Sequence, residues 1–449
     1  MLLPLAVAAQ QPQQPQLSEE PTEDDVEISD VEGDERTTLT GVVEIPGAAE
    51  DIDIPVPAFI KQQANHIIFN GADWSSLRKD FENSSRKPVS VVMIGDSHIQ
   101  ADISSGTTRE LLQYDFGNAG RGLVAPLKMS GTNQPLDYTF QSRNSWIPNK
   151  LMSQSWRQTV GFTGLSVRPS SQTSELTIGT VSSDDYNPFI SLTIFHSGRM
   201  TVKSVTGEAG QNLQFRAIPS HDYTQILLPM PQTSVTVSFS SAGDLTVFGA
   251  SLSGDRPGVF YHAIGNNGAA YETYNRIGNV GAGIAPLKPS LVIISLGTNE
   301  AFGRLDVQAF TRAIDRLVKN IKTANPDAQI LLTTPMECQK SVYTTKKVKV
   351  AGKRRKGRKA SRRTVTRKTR SYAVNRNIAP LRQAILDYGS RNGVAVYDWY
   401  EVAGGQGAST KWVDKGLFAN DRVHHSRAGY SLEGRLIYEA LLDGLREAR

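Results

Sequence analysis

Short apolar runs of strand length, each followed by a stretch with helical spacing, set the tightest limit on what this chain can fold into. Val89 to Ile94 reads as a buried strand, and Ile103 to Tyr114 follows as an amphipathic helix. Ser290 to Leu296 and Gln329 to Thr334 read as two more strands. Val307 to Thr323 and Asn375 to Ser390 read as two more helices, with apolar residues three and four apart. Val394 to Tyr397 gives a fourth strand and Ala428 to Leu445 a closing helix, for which Ser426 is a natural N-cap. Strands alternating with helices predict an α/β fold with a parallel sheet covered on both faces. In such a sheet the functional groups gather at the carboxyl ends of the strands.

Residues 129–250 break this rhythm. They are dense in Ser, Thr, Gln and Gly and carry alternating runs such as Glu175-Leu-Thr-Ile-Gly-Thr, Ile190-Ser-Leu-Thr-Ile and Ser234-Val-Thr-Val-Ser-Phe. Turn residues punctuate these runs, which predicts an antiparallel β-sandwich inserted into the α/β domain. The α/β domain is then built from residues 51–128 and 251–449. The insertion either binds carbohydrate through exposed aromatics, with Trp146, Trp156 and Tyr186 as candidates, or serves as a lid or spacer.

The net charge of +5 conceals a strong segregation. Residues 19–36 hold ten acidic groups against one arginine, whereas residues 340–370 hold fifteen Lys or Arg and no acid. The rest of the chain is close to neutral. Residues 10–50, rich in Gln, Pro and acids, read as a disordered leader. Residues 1–9 resemble the tail of a signal peptide, with a short apolar stretch and small residues at Ala6, Ala8 and Ala9. No run approaches the ~20 apolar residues that span a bilayer. The single cysteine, Cys338, excludes an internal disulfide, and no metal-ligand spacing is present, so no cofactor is implied.

Three short motifs carry the chemistry. Gly95-Asp96-Ser97 closes the first apolar run, Gly297-Thr-Asn299-Glu300 closes the second, and Asp421-Arg-Val-His424 precedes the last helix. A serine hydroxyl is a weak nucleophile until a histidine takes its proton, and that histidine works best when a carboxylate fixes its tautomer. Asp421 and His424 lie three apart on a turn, near enough for the carboxylate to reach the ring. Asn299 offers a neutral NH₂ to an oxyanion. Each motif alone is weak; their order along the chain is the informative part.

In that order the motifs resemble the SGNH (GDSL-type) hydrolase superfamily. Ile94-Gly-Asp-Ser-His-Ile-Gln-Ala-Asp102, Gly117-Asn-Ala-Gly-Arg-Gly122, Phe260-Tyr-His-Ala-Ile-Gly-Asn-Asn-Gly-Ala269 and Leu296-Gly-Thr-Asn-Glu-Ala301 look like its peptidoglycan O-acetylesterase branch. That branch likewise carries an inserted, carbohydrate-binding-like β-sandwich. The resemblance implies a three-layer α/β/α domain with Ser97 as nucleophile, His424 as base and Asp421 as its orienter. It also implies an oxyanion hole from the Ser97 and Gly268 amides and the Asn299 side chain. Among the neighbours, Asp96 reads as a structural residue of the turn and Glu300 as a loop anchor. His98 is either packed locally or in contact with substrate, and His425 is the competing register for the base.

These readings imply an exported serine esterase, periplasmic or extracellular, that removes O-acetyl groups from a glycan such as peptidoglycan. A glycan-binding protein on a retained hydrolase fold, or a deacetylase of another polysaccharide such as xylan, would use the same groups. The basic segment Lys346 to Arg370 suits contact with anionic polymer, because its Tyr343 and Tyr372 lie only at its edges and interleaved aromatics for nucleic acid are missing.

Overall fold

The computed structural model describes residues 43–46, 52–181, 187–351 and 362–448. Its central sheet has six strands in the order Ile67–Ile68, Ala395–Tyr397, Gln329–Thr333, Leu291–Ser295, Val89–Gly95 and Val259–Gly265. Five run parallel, and the short Ile67–Ile68 edge strand pairs antiparallel with Ala395–Tyr397. Every residue of Val89–Gly95 is buried. Successive side chains point to opposite faces of a strand, and this one feeds two cores. Val89, Val91 and Met93 pack with the helices Ile103–Phe116 and Arg427–Glu447. Val92 and Ile94 pack with Val307–Ala324 and Ile378–Asn392. Burial on both faces is why these strands read as unbroken apolar runs.

The parallel register fixes the level at which the strands end. Gly95 pairs with Gly265 on one side and with Ser295 on the other. Ser97, Gly268 and Asn299 therefore leave neighbouring strands two, three and four residues beyond one common rung. The last helix begins as expected, with Ser426 Oγ accepting the Gly429 amide at 3.3 Å.

Two antiparallel sheets share a separate core that includes Phe140, Leu176, Ile194, Val237 and Leu252. One has five strands and the other seven; the larger includes Gly122–Val124, which precedes residue 129, paired onto Thr246–Ser253, which runs past residue 250. In Ser234–Ser241 the apolar Val235, Val237 and Phe239 are buried and alternate with half-buried Ser and Thr. An ion cluster ties these sheets to the α/β body. Asp102, which precedes the helix Ile103–Phe116, accepts from Arg109 at 2.9 Å and from Arg121. Both arginines also pair with Asp137, at the entry to the strand Tyr138–Gln141. Two acids matched to two bases leave no charge buried without compensation.

The basic segment is regular: Gln339–Ala351 and Arg362–Val374 form a two-stranded antiparallel hairpin in continuous register. The signal-peptide-like start at 1–9, most of the leader at 10–50, and Tyr186 lie outside the described residues. Among the described residues, no helix is long and apolar enough to cross a membrane.

Gly265 brings the strand Val259–Gly265 against the turn that carries Ser97. A Cβ there would lie 2.1 Å from the Gln100 amide nitrogen and 2.4 Å from its Cα. Backbone cannot yield as a flexible side chain can, so Gly265→Ala should cost about 1–3 kcal/mol as an overpacking substitution. The midpoint of urea unfolding should fall accordingly, and an unchanged midpoint would show that the contact relaxes freely.

Candidate active site

Ser97 begins a four-residue helix, Ser97–Gln100, immediately after the strand end. The chain then breaks at Asp102, which adopts a left-handed φ of 56°, before the longer helix starts at Ile103. One turn of helix has little macrodipole, so what the Ser97 amide gains from its position is mainly freedom from an intrahelical acceptor.

The other partners converge on Ser97. Its Oγ lies 2.7 Å from His424 Nε2, across 327 positions of sequence. His424 Nδ1 lies 2.5 Å from Asp421 Oδ2. An ionised carboxylate can only accept, so Nδ1 carries the proton and Nε2 is left to accept from the serine hydroxyl. The other carboxylate oxygen, Asp421 Oδ1, accepts the Val423 and His424 amides at 2.9 and 3.0 Å. Burial works against ionising Asp421, but the His424 hydrogen bond and charge, with those amides, hold it at about 2. Burial also disfavours charge on His424, yet the bond to Asp421 and its charge prevail and raise the imidazole above its ordinary 6.5.

Gly268 has φ of +80°, which favours a residue without a side chain. Its loop is held by Gln100, whose Oε1 accepts the Asn267 amide at 2.7 Å. Tyr274 fixes the same corner, donating its hydroxyl to the Gly95 carbonyl at 2.7 Å and accepting from Asn266 Nδ2 at 2.9 Å. Asn299 is at the site, but both of its N–H groups are engaged. They donate to Asp96 Oδ2 at 3.1 Å and to the Ala269 carbonyl at 2.9 Å. Asp96 also accepts the His98 amide at 3.0 Å, so it ties the serine turn to the Asn299 loop, and burial raises its carboxyl to about 7. Glu300 accepts the Tyr271 amide at 2.9 Å and anchors the loop as expected.

The remaining candidates lie as follows. Trp146 stands half-buried in the seven-stranded sheet against Phe239, with centroids 6.1 Å apart. Trp156 has the Arg276 guanidinium over its ring at 4.7 Å, and that arginine is pinned to the Leu151 and Ser153 carbonyls. An aromatic residue in a sequence carries no indication of what covers its face. His98 packs beside the triad: its ring lies 5.2 Å from those of both His424 and His425, and its Nδ1 is 3.2 Å from the Tyr430 hydroxyl. Burial holds it neutral. His425 is buried among Trp412, Phe418 and Tyr430, and burial lowers it to about 3, so it has no access to Ser97. Cys338 is buried, and that burial pushes its thiol up to about 12.

Gln100, Tyr274 and Arg422 had no assigned role in the sequence. Arg422 has a left-handed φ of 60° inside the Asp421–His424 turn. Its Nη1 donates to Gln339 Oε1 at 2.9 Å, and its carbonyl accepts the Gln339 amide at 3.0 Å. Gln100 and Arg422 each had a signal, their places inside the Ile94–Asp102 and Asp421–His424 motifs; Tyr274 lies in neither.

Residues 240–432 match the model of the GDSL-like lipase/acylhydrolase family. The segment holds Gly268, Asn299, Asp421 and His424 and begins beyond Ser97. A solved structure of a peptidoglycan O-acetylesterase superposes with a TM-score of 0.65, covering 85% of this chain and 99% of that one at 20% identity. A lipase/acylhydrolase from Enterococcus faecalis shares 19% identity over 41% of this chain and 77% of its own, with a TM-score of 0.28. A Corynascus thermopiles (Myceliophthora fergusii) family 2 carbohydrate esterase with a carbohydrate binding domain shares 14% over 67% and 100%, with a TM-score of 0.26. No curated protein matches the sequence. Residues 240–432 are thus similar to the GDSL-like lipase/acylhydrolase family and the chain shares the fold of the superposed structure, which bears out the resemblance read from the motifs at that level.

A protonated imidazole cannot accept the serine proton, so esterase activity should fall as pH drops through the His424 pKa. Because that value is raised, the acid limb of kcat/KM should have its midpoint above 6.5. Asp421→Asn removes the group that raises it and should move the limb down. Asp96, near 7, titrates in the same range, and Asp96→Asn separates the two contributions. A midpoint below 6.5 in the parent would contradict the assignment.

Proposed function

We propose that this protein is a serine esterase that removes O-acetyl groups from a glycan, peptidoglycan foremost, and that it works outside the cytoplasm where such a polymer lies. The observation that carries the reading is the chain of two hydrogen bonds from Asp421 through His424 to Ser97, at 2.5 and 2.7 Å, at the carboxyl end of a parallel sheet. The peptidoglycan O-acetylesterase superposition supports the choice of polymer.

In this mechanism Ser97 Oγ attacks the acetyl carbonyl carbon as its proton passes to His424 Nε2. The carbonyl π pair moves onto oxygen, where the Ser97 and Gly268 amides and the Asn299 NH₂ receive it. Among the described residues the Gly268 amide has no acceptor of its own, as an oxyanion donor requires. Asn299 must surrender one of its two present bonds to take part. Collapse expels the sugar oxygen, which takes the proton from His424 and leaves an acetyl-serine. Water then repeats the sequence and releases acetate. The triad and hole require no metal or cofactor in these steps.

Ser97→Ala should lower kcat on p-nitrophenyl acetate by on the order of 10⁴ to 10⁶, and His424→Ala by about as much, since the two act as a unit. His425→Ala should keep most turnover while losing stability, because it empties a packed aromatic site. Comparable turnover in Ser97→Ala and parent, or a reversed ranking of the histidines, refutes the mechanism. Asn299→Ala should lower kcat by roughly 10² to 10³ with a smaller change in KM. A change in KM alone would make it a substrate-binding residue instead. Acetate release from O-acetylated sacculi, set against acetylated xylan, tests the polymer.

A further inference from the structure

We infer that one face of the basic hairpin is a docking strip for a linear, carboxylate-bearing polysaccharide. Residues paired across an antiparallel hairpin share a face. On one face the register pairs Tyr343 with Arg370, Thr345 with Lys368, Lys347 with Thr366 and Lys349 with Thr364. Each of these four successive rungs thus carries one cation and one hydroxyl. Same-face rungs repeat at about 6.8 Å, so the strip is about 20 Å long. Lys347, Lys349, Lys368 and Arg370 are all exposed, and among the described residues none forms an ion pair. Four like charges held along a strip without counter-ions attract an extended anion.

The distribution of side chains distinguishes between polyanions. Single-stranded nucleic acid needs open aromatic faces on which bases stack. Both tyrosines of this face already hold a cation against the ring: Lys368 lies 4.1 Å over Tyr343, while Arg370 and Arg422 lie 4.8 and 4.1 Å from Tyr372. What remains available is charge flanked by hydroxyl groups, which suits carboxylates on a sugar chain.

The strip is also joined to the active site. At the hairpin's root the Gln339 amide and side chain bind Arg422, and the Tyr372 hydroxyl donates to the Asn420 carbonyl at 2.8 Å. These bonds fall on the turn that holds Asp421 and His424. The cations begin about 14 Å from this root. A polymer lying along them approaches the triad along its own length, and its retention adds effective concentration without adding contacts at the reacting ester.

The choice of polymer rests on the esterase reading; the binding does not, and the test separates the two. Ser97→Ala protein, with and without K347Q, K349Q, K368Q and R370Q together, is sedimented with insoluble peptidoglycan sacculi. The sacculi are used native or with their carboxyls amidated, at low and high salt. An unchanged melting temperature controls for folding. The four substitutions should weaken binding tenfold or more, and amidation or high salt should weaken the parent to the same degree. Equal sedimentation of both proteins, or a parent indifferent to amidation, overturns the inference. So does single-stranded DNA that competes better than an anionic polysaccharide of equal charge. Absence of acetate release by the Ser97-containing protein would refute the proposed function and leave the binding result standing.

Discussion

The in-register pairing of Gly95 with Gly265 and Ser295 is the constraint on which the site depends. Parallel strands hold their register through evenly spaced backbone bonds, so three loops from distant parts of the chain start at one level. Each loop is then trimmed by local bonds: Asp96 to the His98 amide, Gln100 to the Asn267 amide, Glu300 to the Tyr271 amide. Asp96 and Asn299 join two of these loops directly. Slipping one strand by a residue would turn its core side chains to the opposite face and carry its loop out of reach.

The legible part of the fold was the part buried on two faces. Val89–Gly95, Leu291–Ser295 and Gln329–Thr333 are mostly apolar because helices cover both sides, and their ends fell within one residue of where the sequence suggested. Val259–Gly265 belongs to the same sheet but contains His262, whose Nδ1 accepts the Leu123 amide at 3.0 Å. A polar residue satisfied by a partner 139 positions away gives no local sign that it is buried. The hairpin was concealed differently. Its charge gives no periodic apolar signal, although Thr, Val and Tyr between the cations are strand formers.

Within the site, what could be read was local. Asp421 and His424 bond within a single turn, and Gly95-Asp96-Ser97 is a contiguous corner. The occupancy of both Asn299 donors could not be read, because the groups that occupy them arise from two other segments. Nor could the grip of the hairpin root on Arg422, which joins residues 83 apart. The choice between His424 and His425 was legible in spacing, and burial gives its physical basis: one ring reaches Ser97, while the other is enclosed by aromatics.

The distance in sequence between Ser97 and His424 has a consequence in time. Chains are made from the amino terminus at about 5–20 residues per second, so the 327 positions between nucleophile and base take roughly 16–65 s to add. Throughout that interval Ser97 is without the ring that its hydroxyl meets in the folded chain. The oxyanion loops arrive before the base, and the base arrives with the last helix. A fragment that ends before Asp421 lacks both the proposed base and its orienter. The last contact of the site, His424 to Ser97, thus forms only when nearly the whole chain has been made.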